Sequence, residues 1–332
     1  MAHNLEIGEN GEVAFAVRGE PAWHSLGQVF DKDAHITTAE MLQTAHLNDW
    51  NVRLEPLVLP DGYRATTKSQ MVVRDNPFDG EADVLAVVGD RYKVVQNEQL
   101  FDFGDNLLDG GADWESAGSI KDGRVVFGSL VIPREFTIDP DGANDKTTTY
   151  LLVHTAHDGS AAVQASITPV RVVCQNTLNI ALAGAKQSFK IRHTATAEGK
   201  VQVAREALGL TFGFMDKFEE MAKSLYETAI TDQQFTDLVR GLYPEPETGS
   251  AKATQSRWSV KDDLLHNLYQ NSPTNENITG TAWGAFNALT ERLDWYRSGR
   301  MGSESIMAAA SGFDPVVNAE KARILKATLA LV

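Results

Sequence analysis

The side chains best suited to chemistry lie in one basic segment, residues 160–205. This segment carries six Lys or Arg residues against one acid, Glu198, whereas the whole chain carries 30 basic and 45 acidic residues for a net charge of −15. Cations can contact the phosphates of a polyanion, and Asn and Gln can hydrogen-bond to base edges. The nucleic-acid-binding residues predicted on this basis are Arg171, Gln175, Asn176, Lys186, Lys190, Arg192 and His193.

The basic segment also allows structural interpretations. Its cations could simply pair with the excess of carboxylates elsewhere in the chain. Phe189 lies among the cations and could stack on a base, but a Phe in a strand more often belongs to a core. Cys174 precedes a predicted helix start, which favours a thiolate, although a free Cys usually packs as a small apolar group. We therefore favour a packing role for both Phe189 and Cys174.

A second group of candidates lies in the motif HTAHDGS. His154, His157 and Asp158 are residue types that ligate metals. Residues three apart on a strand face opposite sides, so the two imidazoles can converge only if a turn begins at His157. A metal-dependent enzyme built on these residues is the weakest of the functions considered.

The sequence contains no catalytic signature. It has no phosphate-binding loop, no dinucleotide fingerprint, no G-x-S-x-G and no H-E-x-x-H motif, so neither catalytic residues nor a cofactor are predicted. A single cysteine permits no internal disulfide, which favours a reducing compartment. No apolar run reaches the roughly 20 residues of a membrane span, and the first residues lack signal-peptide features. We therefore expect a cytoplasmic protein without a membrane segment.

Turn signals divide residues 1–195 into strands and helices. Thr37 and Glu40 form a capping box, which predicts a helix to about Leu47. The Lys-Asp-Gly sequence at 121–123 predicts a hairpin over residues 114–133. A strand through Arg171 should lead into a helix that begins at Asn176. Short turns between strands predict a mainly antiparallel sheet with flanking helices, which is an α+β fold.

Residues 196–332 are predicted to be helical. Apolar residues recur at three- and four-residue steps from Val201 to Leu225, which predicts one long helix with a narrow apolar stripe. This stripe fits either a seam within the chain or a subunit interface, and we expect a homo-oligomer. Shorter helices are predicted near 232–241, 259–269, 281–296 and after Pro315. The Pro- and Gly-containing stretch at 243–256 predicts a flexible linker.

Several motifs resemble those of a phage- and plasmid-encoded family known mainly as a domain of unknown function. They are PAWHSLG, GDRYKVVQNEQLFDF, HDGS, RVVCQNTL and IRHT, in that order. The resemblance covers the chain from about Trp23 to the motif SGFDPVVN. It implies a phage or prophage origin and expression in the cytoplasm of a bacterial host. It implies no reaction, so no catalytic residue can be transferred.

The predicted arrangement also resembles the core of single-strand annealing proteins at the level of fold. Such proteins form rings that hold single-stranded DNA in a basic groove without a nucleotide. The resulting hypothesis is a phage DNA-metabolism protein that binds single-stranded DNA and anneals complementary strands without nucleotide hydrolysis. The alternative is a protein-interaction or host-takeover factor without affinity for nucleic acid, which the net charge of −15 favours.

Overall fold

Local sequence signals set the ends of the elements in the computed structural model. The structure describes residues 5–19, 26–58, 62, 68–107, 113–161, 163–171, 176–177, 188–191, 215–296 and 315–332. Strands dominate the first part of the chain and are mostly antiparallel, and helices follow them. The predicted α+β fold class is therefore confirmed.

The described strands end at turns, and several of these turns require a left-handed backbone. In the turn at residues 121–123, Lys121, Asp122 and Gly123 all have positive φ, as a tight hairpin turn with Asp-Gly requires. The strands are β1 (Phe15–Arg18), β2 (Gln28–Phe30), β3 (Arg53–Pro56), β4 (Gln70–Asp75), β5 (Ala82–Val88), β6 (Trp114–Ile120), β7 (Val125–Ile138), β8 (Asp145–Ala156), β9 (Val163–Arg171), β10 (Asn176–Thr177) and β11 (Ser188–Ile191).

Two of the described helices begin with a capping box. Thr37 caps the first with Glu40, and Thr231 caps the fourth with Gln234, so that side chains satisfy amides that the helix leaves unpaired. The helices are α1 (Thr38–Thr44), α2 (Asn97–Leu107), α3 (215–227), α4 (Asp232–Leu242), α5 (Lys252–Gln270), α6 (Ala282–Trp295) and α7 (Pro315–Leu329). In the part of the chain that the structure describes, no helix has both the length and the apolarity that crossing a membrane requires.

The described strands form two sheets. The larger has eight strands in the order β10-β9-β8-β7-β6-β1-β2, with β11 also paired to β9, and the smaller has the order β3-β4-β5. β1 and β2 are parallel, whereas β6 pairs antiparallel with both β1 and β7. The predicted hairpin over residues 114–133 is confirmed by the β6–β7 pairing.

The chain forms two compact units that are interleaved along the sequence. The first comprises Met1–Ile132, Tyr150–Ile167 and Ser188–Gly209, and the second comprises Pro133–Thr149, Thr168–Gln187 and Leu210–Val332. The divisions fall within β7, β8 and β9. The predicted domain boundary at residue 195 lies outside the described residues and stays a prediction.

Each unit has its own aromatic core. In the first unit, Phe101 of α2 stacks on Trp114 of β6 with ring centroids 4.5 Å apart. In the second, Trp283 of α6 stacks on Phe286 at 5.5 Å and meets the edge of Phe218 at 6.2 Å. The indole of Trp283 donates a 2.8 Å hydrogen bond to Asp145, which satisfies its only polar group in the core.

Three local predictions need correction. Asn176 and Thr177 form strand β10 and not the start of a helix, because they pair with Arg171 and Val170 of β9. The residues RYKVV at 91–95 predict a short strand, but their backbone is irregular. Helix α5 begins at Lys252, inside the predicted linker and before the predicted start at Ser259. Residues 252–257 are exposed, so no apolar period could reveal their helix.

Candidate functional site

The structure gives the backbone placement of three predicted nucleic-acid-binding residues. Arg171 is the last residue of β9 and pairs with Asn176 of β10, while Lys190 of β11 pairs with Gln164 near the start of β9. The other predicted residues lie outside the described part of the chain, and they are Gln175, Lys186, Arg192 and His193. Cys174 also lies outside it. This binding site therefore stays a prediction.

The HDGS motif forms a turn and not a metal site. β8 ends at Ala156, and the turn begins at His157. Within the described ranges, no group of three or more His, Cys, Asp or Glu residues could hold a metal ion. This finding overturns the metal alternative for His154, His157 and Asp158. The His157 imidazole instead lies 2.9 Å from the amide oxygen of Asn97, whose nitrogen donates to the carbonyl of Leu47 at 2.8 Å.

His157 is part of a buried polar network in the first unit. Its side chain is 0 % exposed, and burial, with a smaller contribution from the charge of Arg74, lowers its pKa to about 4. Its ring lies 5.8 Å from Trp50, and the guanidinium of Arg74 lies 4.2 Å from the Trp50 centroid. The imidazole is thus held neutral next to a buried cation.

The buried Arg74 guanidinium is fully engaged by the protein itself. It pairs with Glu6 and lies 2.9 Å from Asp83, and Ser119 donates to Glu6 at 2.8 Å. Gly123 covers it, and a Cβ at that position would lie 2.3 Å from Nη1 of Arg74. Since the charges of Arg74 and Glu6 compensate each other and are buried, this network has a structural role.

A different arrangement occurs in the second unit, around Tyr243. This residue directly follows α4, and its ring is buried, with 8 % exposure. Three cations from three helices lie over the ring: Nζ of Lys261 at 4.5 Å, and Cζ of Arg323 and Arg292 at 5.3 and 5.6 Å from the centroid. The only carboxylate among the contacts described here is Glu320. We call these five residues the Tyr243 cluster.

The charges in the Tyr243 cluster are unbalanced. Glu320 accepts hydrogen bonds from the Tyr243 hydroxyl at 2.6 Å and from Arg323 at 3.1 Å, and Arg323 also donates to the carbonyl of Leu242 at 2.8 Å. By contrast, the side chains of Lys261 and Arg292 have neither a hydrogen bond nor an ion pair to any residue that the structure describes. These two half-buried cations thus share the Tyr243 face and the charge of Glu320, without a direct ion pair to a described residue.

The pKa values in the cluster reflect this imbalance. Burial first, and then the charge of Arg292, lower the pKa of Lys261. Burial and the hydrogen bond to Glu320 raise the pKa of Tyr243. Burial acts to raise the pKa of Glu320, but the Tyr243 hydroxyl and the charge of Arg323 hold it below its ordinary value. Charges of both signs therefore act in the cluster: the Glu320 carboxylate helps to keep the Tyr243 hydroxyl protonated, whereas the charge of Arg292 adds to burial in disfavouring the charged form of Lys261.

The Tyr243 cluster borders a cavity of about 140 Å³. Tyr243, Lys261, Arg292 and Glu320 supply its polar wall, and Leu293, Val316 and Val317 supply its apolar wall. The cavity is not visible in the sequence because the cations lie on α5, α6 and α7, about 30 residues apart, and no local motif connects them. Only the packing of these helices against α4 brings them together.

Comparison with known proteins gives a family but no relative of established function. No curated protein and no solved structure matches the chain. A family model described as a domain of unknown function, DUF932, matches residues 84–322. The matched range contains the whole basic segment and all of the Tyr243 cluster except Arg323. The chain therefore belongs to the DUF932 family, which agrees with the expectation of a family of unknown function, although the match does not reach the motif PAWHSLG.

Proposed function

We propose that this protein binds single-stranded DNA through its basic segment, residues 160–205, and promotes annealing of complementary strands without nucleotide hydrolysis. It would act as a homo-oligomer in the cytoplasm of a bacterial host, encoded by a phage or a related element. The observation that carries the proposal is the concentration of charge: six basic residues and one acid in this segment, within a chain of net charge −15. Such a segment can neutralise phosphates while the acidic remainder keeps the protein soluble.

The backbone pairing of Arg171 with Asn176 supports this proposal. It places two predicted nucleic-acid-binding residues next to each other where β9 and β10 pair, as contacts to neighbouring nucleotides require.

The direct test is fluorescence anisotropy with labelled single- and double-stranded oligonucleotides over a salt series. We expect tighter binding to the single strand, with an affinity that falls steeply as salt increases, because bound cations release counterions from the phosphates. Absence of binding at low salt, where attraction is strongest, would contradict the proposal. It would favour the alternative of a protein-interaction factor, to which the acidic net charge is suited.

A charge-matched pair of variants locates the site. The double variant Lys190→Ala/Arg192→Ala removes two predicted phosphate contacts, so the slope of log K against log salt should become shallower by about 1.4 for a single strand. The control Lys252→Ala/Arg257→Ala removes the same charge from exposed positions of α5 and should leave the slope unchanged. Equal effects of the two variants would mean that binding follows net charge and not the basic segment.

Annealing and assembly need separate measurements. Annealing is measured as the rate at which two complementary dye-labelled strands pair without nucleotide, with and without protein. Light scattering after size exclusion gives the mass of the assembly. Binding without acceleration of pairing would remove annealing from the proposal, and a monomer would remove the homo-oligomer.

A further inference from the structure

The second unit contains a cavity whose charge is suited to a small anion. Three cations and one carboxylate meet at the Tyr243 ring, which leaves two positive charges without a compensating group in the Tyr243 cluster. Lys261 and Arg292 border the cavity directly, and neither has an ion pair or hydrogen bond to the described residues. Both side chains are half-buried and so keep part of their hydration, and the described protein offers neither a hydrogen-bonding partner at the cavity.

A purely structural role does not explain the arrangement. One cation over an aromatic ring is attractive, but each additional cation repels those already present. Glu320 is committed to Tyr243 and Arg323 by hydrogen bonds of 2.6 and 3.1 Å. A cluster selected for stability alone would gain from a neutral side chain at position 261 or 292. The excess positive charge is thus available to an anionic ligand.

The cavity limits the size and charge of the ligand. Its volume of about 140 Å³ is close to the roughly 150 Å³ of engineered cavities that hold a benzene molecule. One phosphate group fits within such a space. Its two negative charges would balance the cluster, whereas a carboxylate would leave one positive charge uncompensated. Guanidinium and ammonium groups are the side chains that proteins use to bind phosphate.

We propose that the cavity beside Tyr243 binds a dianionic phosphate group through Lys261 and Arg292, with Arg323 and Glu320 fixing the position of the Tyr243 ring. The phosphate belongs either to a free small molecule or to the end of a nucleic-acid strand, since both present the same group. This site is distinct from the basic segment and does not depend on DNA binding there.

The experiment uses the full chain and inorganic phosphate as the probe. Thermal unfolding is followed over a phosphate series, with sodium chloride at matched ionic strength as the reference, and isothermal titration calorimetry gives the affinity. We expect phosphate to raise the unfolding temperature beyond chloride and to give a saturable heat of binding with one phosphate per chain, because exclusion of phosphate from the protein surface produces the first effect but not the second. An equal effect of the two salts, or no saturable binding, would overturn the proposal.

Two variants and two controls separate binding from folding. Lys261→Gln and Arg292→Gln each remove one phosphate contact and should weaken phosphate binding by about tenfold or more. Without phosphate they should unfold at the same or a higher temperature, because they relieve repulsion. The controls Lys252→Gln and Arg240→Gln change exposed cations on α5 and α4 and should retain the affinity. Retained affinity in the Lys261 and Arg292 variants, or a large loss of stability without phosphate, would contradict the proposal.

Oligonucleotides identify the source of the phosphate. A single strand with a 5′-phosphate is compared with the same strand carrying a 5′-hydroxyl, each in competition with inorganic phosphate. Displacement by the phosphorylated strand alone supports the site and assigns it to strand ends. Displacement by neither strand, with phosphate still bound, supports the site and assigns it to a small molecule. Displacement by both strands equally would overturn the proposal for a terminal phosphate group.

Discussion

The imidazole of His157 makes the stability of the protein depend on pH. Its pKa is lowered to about 4 in the folded chain because it is buried and lies near Arg74, whereas an unfolded His titrates near 6.5. Between these values the unfolded chain binds more protons, so the contribution is complete above about pH 6.5 and is lost as pH falls towards 4. We expect a loss of about 2 kcal/mol on going from about pH 7 to about pH 5.

Denaturant unfolding of the wild type and of His157→Gln measures this contribution. The amide of Gln can still bond to Asn97 but does not titrate, so the variant should lose less free energy over the same pH range. His35→Gln is the control, because the His35 side chain is 71 % exposed and its removal should leave the pH dependence of the wild type. If the free energy of unfolding fell equally with pH in the wild type and in His157→Gln, the buried imidazole would not be the group that causes the pH dependence.

At the scale of single elements, helix α4 depends on its capping box. The Thr231 hydroxyl accepts from the amide of Gln234 at 3.2 Å, and the Gln234 side chain accepts from the amide of Thr231 at 2.8 Å. Thr231→Ala removes the hydrogen bond that the Thr231 hydroxyl accepts and should lower the free energy of unfolding by about 1 kcal/mol. The control is Thr254→Ala, an exposed position in α5 without a capping bond, where urea unfolding should change little. A loss of equal size at both positions would contradict the capping role.

Elements with local signals were predictable from the sequence. The boxes at Thr37 and Thr231 each span four residues, and the Asp-Gly turn before β7 is defined by adjacent residues, so each is visible without knowledge of the fold. β10 was not predictable, because Asn176 and Thr177 become a strand only through pairing with β9. Likewise, the exposed first turns of α5 carry no apolar period. The structure of β10 and of the first turns of α5 therefore depends on tertiary contacts and not on local sequence.

The Tyr243 cluster shows that a site assembled by tertiary contacts is equally hard to predict from the sequence. Tyr243, Lys261, Arg292 and Arg323 come from four separate stretches of the chain, and only helix packing places them around one ring. The basic segment was visible because its cations are close in sequence. The histidines of HTAHDGS were candidates for a metal site because of their residue type alone, yet His157 is a packed core residue. Local composition thus detects linear sites and misses sites assembled by folding.

At the scale of the whole molecule, the net charge of −15 should make stability depend on salt. Like charges repel across the folded surface, and salt screens them. We expect the unfolding temperature to rise by a few degrees between about 20 and about 200 mM NaCl at pH 7. Near the isoelectric point of about pH 5.0 the net charge vanishes, so the same salt series there is the control and should have little effect.

Salt should raise the unfolding temperature but weaken DNA binding, so the two effects of salt can be told apart. Screening stabilises the acidic fold, but it weakens contacts between the basic segment and phosphates. If single-stranded DNA dissociates over the same salt range in which the unfolding temperature rises, dissociation cannot result from unfolding. A fall in unfolding temperature with salt would mean that favourable surface ion pairs, such as Arg53 with Glu55 and Asp75, outweigh the repulsion of the whole chain.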